Sequence, residues 1–249
     1  MKSKQNQALV LLAGLLLVWG CGTSNTDSKL PPATGKMGAG VITGKVSLIG
    51  KIPTRKKIDM SADPICQGQH AQPVYDQSVV ADSRGDLANV LVYVSGGAAV
   101  YDPPKAPVTL LQTGCMYAPH VFGVQAGQKL DIFNEDATMH NVHALDANGT
   151  GFNVAQGQKG DETEQEFMEP EMPVTLKCDV HGWMRCYGGV FTHPFFTVTG
   201  QDGTFKIKGL PTGTYDLTAW QEKYGFSKPQ TVKIQNGKAE KVNFKFKAD

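Results

Sequence analysis

The side chains best equipped for chemistry sit in one short run, Cys178-Asp179-Val180-His181-Gly182-Trp183-Met184, which sets a thiol, an imidazole and a thioether close together. These are soft donors, and a Cys with two His and a weak axial Met is the donor set of a one-electron copper centre. Cys178, His181 and Met184 supply all of it but one imidazole. Upstream, the run Phe133-Asn134-Glu135-Asp136-Ala137-Thr138-Met139-His140-Asn141-Val142-His143 offers that imidazole at the end of a strand, and His140 is the expected ligand. Taken singly, His140 reads as an ordinary partly buried histidine, Cys178 as a buried apolar thiol and Met184 as core filler. The combination and its order favour a metal. Zinc on Cys and two His is a rival, but a thioether in fourth place suits copper better.

His140-Asn141-Val142 followed by Cys178-x-x-His181-x-x-Met184 resembles the cupredoxins, most closely the amicyanin and plastocyanin branch, over residues 104–194. Tyr117 to Val124 and Lys129 to Asn134 resemble the strand pair that precedes the first ligand in that family. The resemblance implies a Greek-key β-sandwich with one mononuclear Cu(I)/Cu(II) on His140, Cys178, His181 and Met184. It also implies hydrogen bonds from Asn141 that tie the ligand loops together. The partner it implies is a redox protein such as a c-type cytochrome or a membrane oxidoreductase complex. One departure carries its own expectation: Val180 and Gly182 stand where the amicyanin loop has prolines. Proline has no N–H, so the Val180 amide is free to donate to the Cys178 sulfur, which would raise the reduction potential. His143 shares a strand face with His140, but by the same resemblance it is not a ligand. Trp183 reads as a lid over the metal or an apolar docking surface.

The segments that must hold these residues in place read as strands nearly throughout. Val41 to Ile49 and Leu87 to Val94 alternate apolar with polar or small residues, and Thr204 to Ile207, Thr214 to Trp220, Gln230 to Ile234 and Lys241 to Phe246 repeat the pattern between Gly- and Pro-containing turns. No sustained 3.6-residue period occurs, so helices should be few and short. The expected class is all-β. Asp202-Gly203-Thr204-Phe205 with Leu210-Pro211-Thr212-Gly213-Thr214-Tyr215 resembles the carboxypeptidase regulatory-like domain, a transthyretin-like β-sandwich. The Gly-x-Val-type strand that opens such domains is present as Gly40 to Val46, far upstream. The economical arrangement is insertion: residues 40–103 and 195–249 build one sandwich, and the cupredoxin unit 104–194 is spliced between them. Two β domains in series is the alternative.

The N-terminus supplies an address. Lys2 and Lys4 precede an apolar run, Ala8 to Gly20, that is short for a bilayer span and typical of an export signal. Val18-Trp19-Gly20-Cys21 resembles a bacterial lipobox, which makes residues 1–21 a lipoprotein signal with Cys21 as the lipidated residue. The expected location is the periplasmic or cell-surface side of a bacterial membrane, anchored in the lipid bilayer. Residues 22–39, with little apolar to bury, read as a flexible tether. Export permits disulfides. Of five cysteines, Cys21 and Cys178 are spoken for, and among Cys66, Cys115 and Cys186 we expect Cys66 to pair with Cys115, with Cys186 as a competitor for the bond or a buried small side chain.

Balanced charge, 24 basic against 23 acidic residues, gives no basic face for nucleic acid. The chain has no Gly-x-Ser-x-Gly elbow, His-Glu-x-x-His or phosphate loop, and the donor set leaves no evident open position, so no catalysis is expected. The acidic run Asp161 to Glu166 reads as a solvated face. Electron carriage is the leading reading. Its rivals are a copper-holding or copper-delivery lipoprotein, and a surface β-sandwich binding module with an incidental metal.

Overall fold

The structure is a computed structural model that describes residues 30–145, 147, 149, 151–235 and 237–248. Residues 1–21, including Cys21, and the first part of the expected tether lie outside the described residues. Among the described residues no helix is long and apolar enough to cross a membrane. The chain is all-β, with one five-residue helix, Pro64–Gly68.

Four sheets form two sandwiches. In the first, strand Gly40–Ile49 lies between Thr204–Leu210, antiparallel to it, and Ala239–Lys247, parallel to it. The facing sheet places Leu91–Gly96 between Phe196–Val198 and Gly213–Gln221, and the latter also pairs with Gly225–Phe226 and Gln230–Ile234. The period-2 patterning read from the sequence explains the packing. Ile42, Val46, Leu48, Phe205, Ile207, Val242, Phe244 and Phe246 all point inward to one core with Val92, Val94, Leu217 and Phe195. Truncating any of the fully buried members to Ala should cost about 2–5 kcal/mol.

Gly44 shows how tightly the central strand is packed. A Cβ built there would meet the Val242 carbonyl oxygen at 1.6 Å and the Phe205 ring at 2.6 Å. Because backbone cannot yield as a flexible side chain can, we expect Gly44→Ala to lower stability by at least about 1–3 kcal/mol, read as a fall in urea midpoint at unchanged slope. A midpoint equal to that of the wild type would contradict this packing.

The second sandwich carries the metal-ligand candidates. One sheet runs in the order Val121–Gln125, Arg185–Phe191, Glu171–Lys177, His140–Leu145, Asn153–Gln156, and the other Met116–Ala118, Val108–Thr113, Lys129–Asn134, Glu162–Glu166. Their shared core includes Leu110, Tyr117, Leu130, Ile132, Val142, Leu176, Met184 and Cys186. Glu162–Glu166, expected as a plain solvated run, is the edge strand of that second sheet, and its glutamates alternate outward, a charge pattern that discourages edge-to-edge pairing. A third cluster, Leu91 and Trp220 from the first sandwich against Val121 and Phe191 from the second, joins the two.

Two segments differ from their sequence reading. Residues 30–39 were expected to be free tether, yet Thr34 and Gly35 donate backbone hydrogen bonds to the Val100 carbonyl, Gly38 donates to that of Gly209, and the Tyr101 hydroxyl donates to that of Lys36. Their backbone groups find partners on the folded body in place of water. Residues 50–90 contain little strand and pack on both sandwiches: Met60 and Cys66 join the core of the second, and Val79, Leu87 and Val90 that of the first.

Candidate metal centre

His140 opens the strand His140–Leu145, and Cys178 to Met184 form the loop between Glu171–Lys177 and Arg185–Phe191. These strands belong to one sheet, so both segments end at the same edge of the sandwich. The loop is tight because its ends bond to each other: the Cys178 amide donates to the Met184 carbonyl at 3.1 Å, and the Met184 amide donates to that of His181 at 2.9 Å. Asn141 fastens the loop to the strand. Its Oδ1 accepts from the Asp179 amide at 2.7 Å and from the Cys178 thiol at 3.4 Å, and its Nδ2 donates to Asp179 Oδ2 at 3.0 Å.

The structure brings His140, Cys178 and His181 together, with one ligand atom of each within 4.8 Å of the others. The two Nδ1 atoms face each other at 2.9 Å, and Cys178 Sγ lies 4.0 Å from His181 Nδ1. Met184 is fully buried in the same loop. Relative exposures of His140, Cys178 and His181 are 0%, 2% and 3%, so no face of the trio is open to solvent.

Each imidazole is held from behind by a carboxylate. His140 Nε2 donates to Asp136 Oδ2 at 2.9 Å, and His181 Nε2 donates to Asp63 Oδ2 at 3.0 Å. With Nε2 committed as donor, the remaining nitrogen, Nδ1, is the one left to ligate, and both point inward. Asp136 also accepts the amides of Gly114 and Cys115 at 2.8 and 2.7 Å. Those two residues form the turn between Val108–Thr113 and Met116–Ala118 with φ of 61° and 54°, a left-handed pair that suits Gly but strains Cys115. The carboxylate holds the strained amides in place.

The charges fit this arrangement. Burial opposes ionisation of Asp136 and of Asp63, but the hydrogen bonds each accepts outweigh it, and both carboxyls are held below their ordinary value. Burial also disfavours the His140 imidazolium, yet Asp136 and the neighbouring Cys178 override it and lift the pKa to about 9. For Cys178, burial pushes the thiol up, while His140, Asn141 and the backbone amides of His181 and Val180 bring it down to about 7. At 2.9 Å the two Nδ1 atoms are hydrogen-bonded, so a single proton lies between them. A cation could take the place of that proton, facing two nitrogen lone pairs and a thiolate. The donor set fits copper.

The amide that reaches the Cys178 sulfur with hydrogen-bond geometry is that of His181, at 3.4 Å. Val180, named for that role, contributes a backbone interaction that also lowers the thiol pKa, and its side chain is exposed. His143 Nδ1 turns to Asp179 Oδ2 at 2.9 Å, away from the trio. Trp183 lies with its ring centroid 5.0 Å from that of His181 and donates its Nε1–H to the Cys115 carbonyl at 3.0 Å. Cys66 and Cys115 form a disulfide, and Cys186 is a free, fully buried thiol whose pKa burial raises.

Sequence reading missed Asp136 and Asp63. Asp136 had a local signal, its place four residues before His140. Asp63 had none: it is 118 residues from His181, and its sequence context marks only the start of a helix.

Comparison with known proteins gives the following. A family model described as polysaccharide lyase family 4, domain II, matches residues 179–242. It takes in Thr204 to Ile234 of the expected carboxypeptidase regulatory-like domain but not Gly40 to Val46, and it begins within residues 104–194. No curated protein matches the chain. Among solved structures, a copper-containing nitrite reductase from Thermus scotoductus SA-01 is similar at 24% identity and a TM-score of 0.33, over 41% of this chain and 25% of that one. The chain thus spans a quarter of that enzyme. A purple cupredoxin from Nitrosopumilus maritimus matches at 22% identity and 0.29, over 33% of this chain and 98% of its own. A Cu(I) amicyanin variant matches at 18% identity and 0.30, over 40% of this chain and 97% of its own. At these scores the likenesses carry no weight for function, which rests on the residues themselves.

Proposed function

We propose that this chain is an exported, membrane-tethered mononuclear copper protein that carries single electrons between redox partners. The observation that supports it is the convergence of His140 Nδ1, His181 Nδ1 and Cys178 Sγ, with both outer ring nitrogens committed to carboxylates. Met184, fully buried in the same loop, would supply a fourth, thioether donor. Copper bound there would supply a one-electron Cu(I)/Cu(II) couple. The chain's part is to keep the ligands still: the Cys178 and Met184 backbone bonds, the Asn141 bridge and the two carboxylates fix all four from outside, so the same positions serve both oxidation states. Burial keeps water off the metal.

In this reading residues 104–194 are the copper-binding unit, inserted into a sandwich built from residues 40–103 and 195–249. Lipidated Cys21 holds the protein to a bilayer on the periplasmic or cell-surface side. A c-type cytochrome or a membrane oxidoreductase complex exchanges electrons with it. The rival, a copper-holding or copper-delivery protein, shares the donor set but not the redox behaviour. Voltammetry of the copper-loaded protein separates them: an electron carrier gives a reversible one-electron wave with copper retained in both states, whereas loss of the metal on either reduction or oxidation would contradict the carrier role.

A further inference from the structure

The outer edges of the two imidazoles are closed by different parts of the chain. Asp136, behind His140, lies in the loop that leads to that ligand. Asp63, behind His181, belongs to residues 58–76, a segment outside the ligand-bearing strands. This segment folds back on itself through the bond from the Ile58 amide to the Val74 carbonyl, 2.9 Å, and contains the helix Pro64–Gly68, whose first amides Asp63 caps through Oδ1. The other oxygen of Asp63 meets His181 and accepts from the Thr138 hydroxyl at 3.3 Å.

The remaining attachments converge on one turn. Cys66 is disulfide-bonded to Cys115, His70 Nε2 lies 2.7 Å from the Gly114 carbonyl oxygen, and Gln69 Nε2 is 3.8 Å from Cys115 Sγ. Cys66 Sγ itself lies 3.7 Å from His181 Nε2. The segment, and not solvent, occupies this side of the metal centre, and its one covalent tie to the metal-bearing sandwich among the described residues is the disulfide.

We propose that residues 58–76 are a disulfide-locked cover of the metal centre, in which Asp63 positions His181 and the Cys66–Cys115 bond keeps Asp63 in place. This rests on the copper reading above. With the bond closed, the metal is enclosed by ligands that are at most 3% exposed, and it cannot be handed over until the cover moves. Both sulfurs belong to fully buried residues, so a dithiol reaches them only when the segment has opened locally; two electrons and two protons then convert the disulfide to two thiols while the dithiol closes its own disulfide. What remains is a set of non-covalent contacts, and the cover then opens far more often. Asp63 has a second effect. A carboxylate that accepts the Nε2–H makes the imidazole a better donor and sets a negative charge near the metal, so it favours Cu(II) over Cu(I).

The test uses the full chain loaded with Cu(II). Appearance of the thiolate-to-copper band is checked first, so failure to load counts against the copper reading and not against the cover. Transfer of copper to a chelator is then timed for the wild type, for the Cys66→Ser/Cys115→Ser double variant and for Asp63→Asn. We expect transfer at least about tenfold faster from the double variant. Asn caps helices as well as Asp does, so Asp63→Asn keeps the helix cap through its one oxygen and removes both the charge and the acceptor for the His181 Nε2–H. It should weaken Cu(II) binding about 10- to 100-fold and raise the potential, by about 59 mV for each tenfold lost from Cu(II) alone.

A metal-free measurement stands beside these. Alkylation of Cys178 in the apoprotein, mapped by mass spectrometry, should be at least about tenfold faster in the double variant, by the same opening argument. If the double variant cannot fold, wild-type apoprotein reduced with dithiothreitol and then freed of it takes its place in the alkylation measurement. Copper transfer and Cys178 alkylation at wild-type rates without the disulfide would overturn the cover. Unchanged Cu(II) affinity and potential in Asp63→Asn would overturn the positioning role.

Discussion

Cys178→Ser should abolish the intense visible band of the copper-loaded protein and weaken Cu(II) binding by orders of magnitude, while Cys186→Ser should leave both in place. The two cysteines are the free thiols among the described residues and both are buried, yet their surroundings are opposite. Burial pushes the Cys178 thiol up, but His140 beside it and backbone amides at its sulfur bring its pKa down to about 7. Cys186 lies wholly in apolar core, where burial alone acts and keeps it a neutral thiol. Only the first is disposed to be a thiolate ligand, and the colour of such a centre comes from the thiolate. Loss of the band in Cys186→Ser with retention in Cys178→Ser would reverse the assignment.

The second large effect is expected from Asp136→Ala. This buried carboxylate accepts three hydrogen bonds, from His140 Nε2 and from the amides of Gly114 and Cys115. Removing it strands the His140 charge and two buried N–H groups and releases a strained turn, a loss of about 3–5 kcal/mol in the metal-free protein. The same pair sets a pH dependence. Asp136 has a depressed folded-state pKa, so its contribution is present above the ordinary carboxyl value and lost as pH falls through the folded one. His140 is raised from 6.5 to about 9, so its contribution is complete below 6.5 and disappears as pH rises through about 9. Over the same range the Cys178 thiol, lowered from 9.0 to about 7, contributes in the opposite sense, so the pair is read as a difference: between pH 6.5 and 9 the urea midpoint of the wild-type apoprotein should fall relative to that of Asp136→Asn. Parallel curves for the two proteins would mean that the pair does not carry this dependence.

The legibility of the sequence follows the range of the interactions. Alternation along Val41 to Ile49 or Thr204 to Ile207 is local, because each side chain points to a face set by its own strand, and these segments are strands. Which strands adjoin is not local. Nothing in Ala239 to Lys247 says that it runs parallel to Gly40–Ile49 while Thr204–Leu210 runs antiparallel on the other side. The trio His140, Cys178 and His181 was legible because soft donors in that order are rare for other purposes. Asp136 stood in the same run as His140 but looked like any loop carboxylate, since its burial depends on the Gly114-Cys115 turn folding over it. Asp63 was illegible in principle, as only the disulfide-tied crossing of residues 58–76 brings it to His181. The docking of residues 30–39 is not visible in composition for a similar reason: Thr34, Gly35 and Gly38 dock through backbone groups, which every sequence has.

The most direct measurement of the central claim is a visible spectrum recorded while the purified apoprotein is titrated with Cu(II) and then treated with a one-electron reductant. The account predicts an intense thiolate-to-Cu(II) band that saturates at one copper per chain, bleaches on reduction and returns on reoxidation. A colourless titration, or a band that requires two coppers per chain, would contradict it.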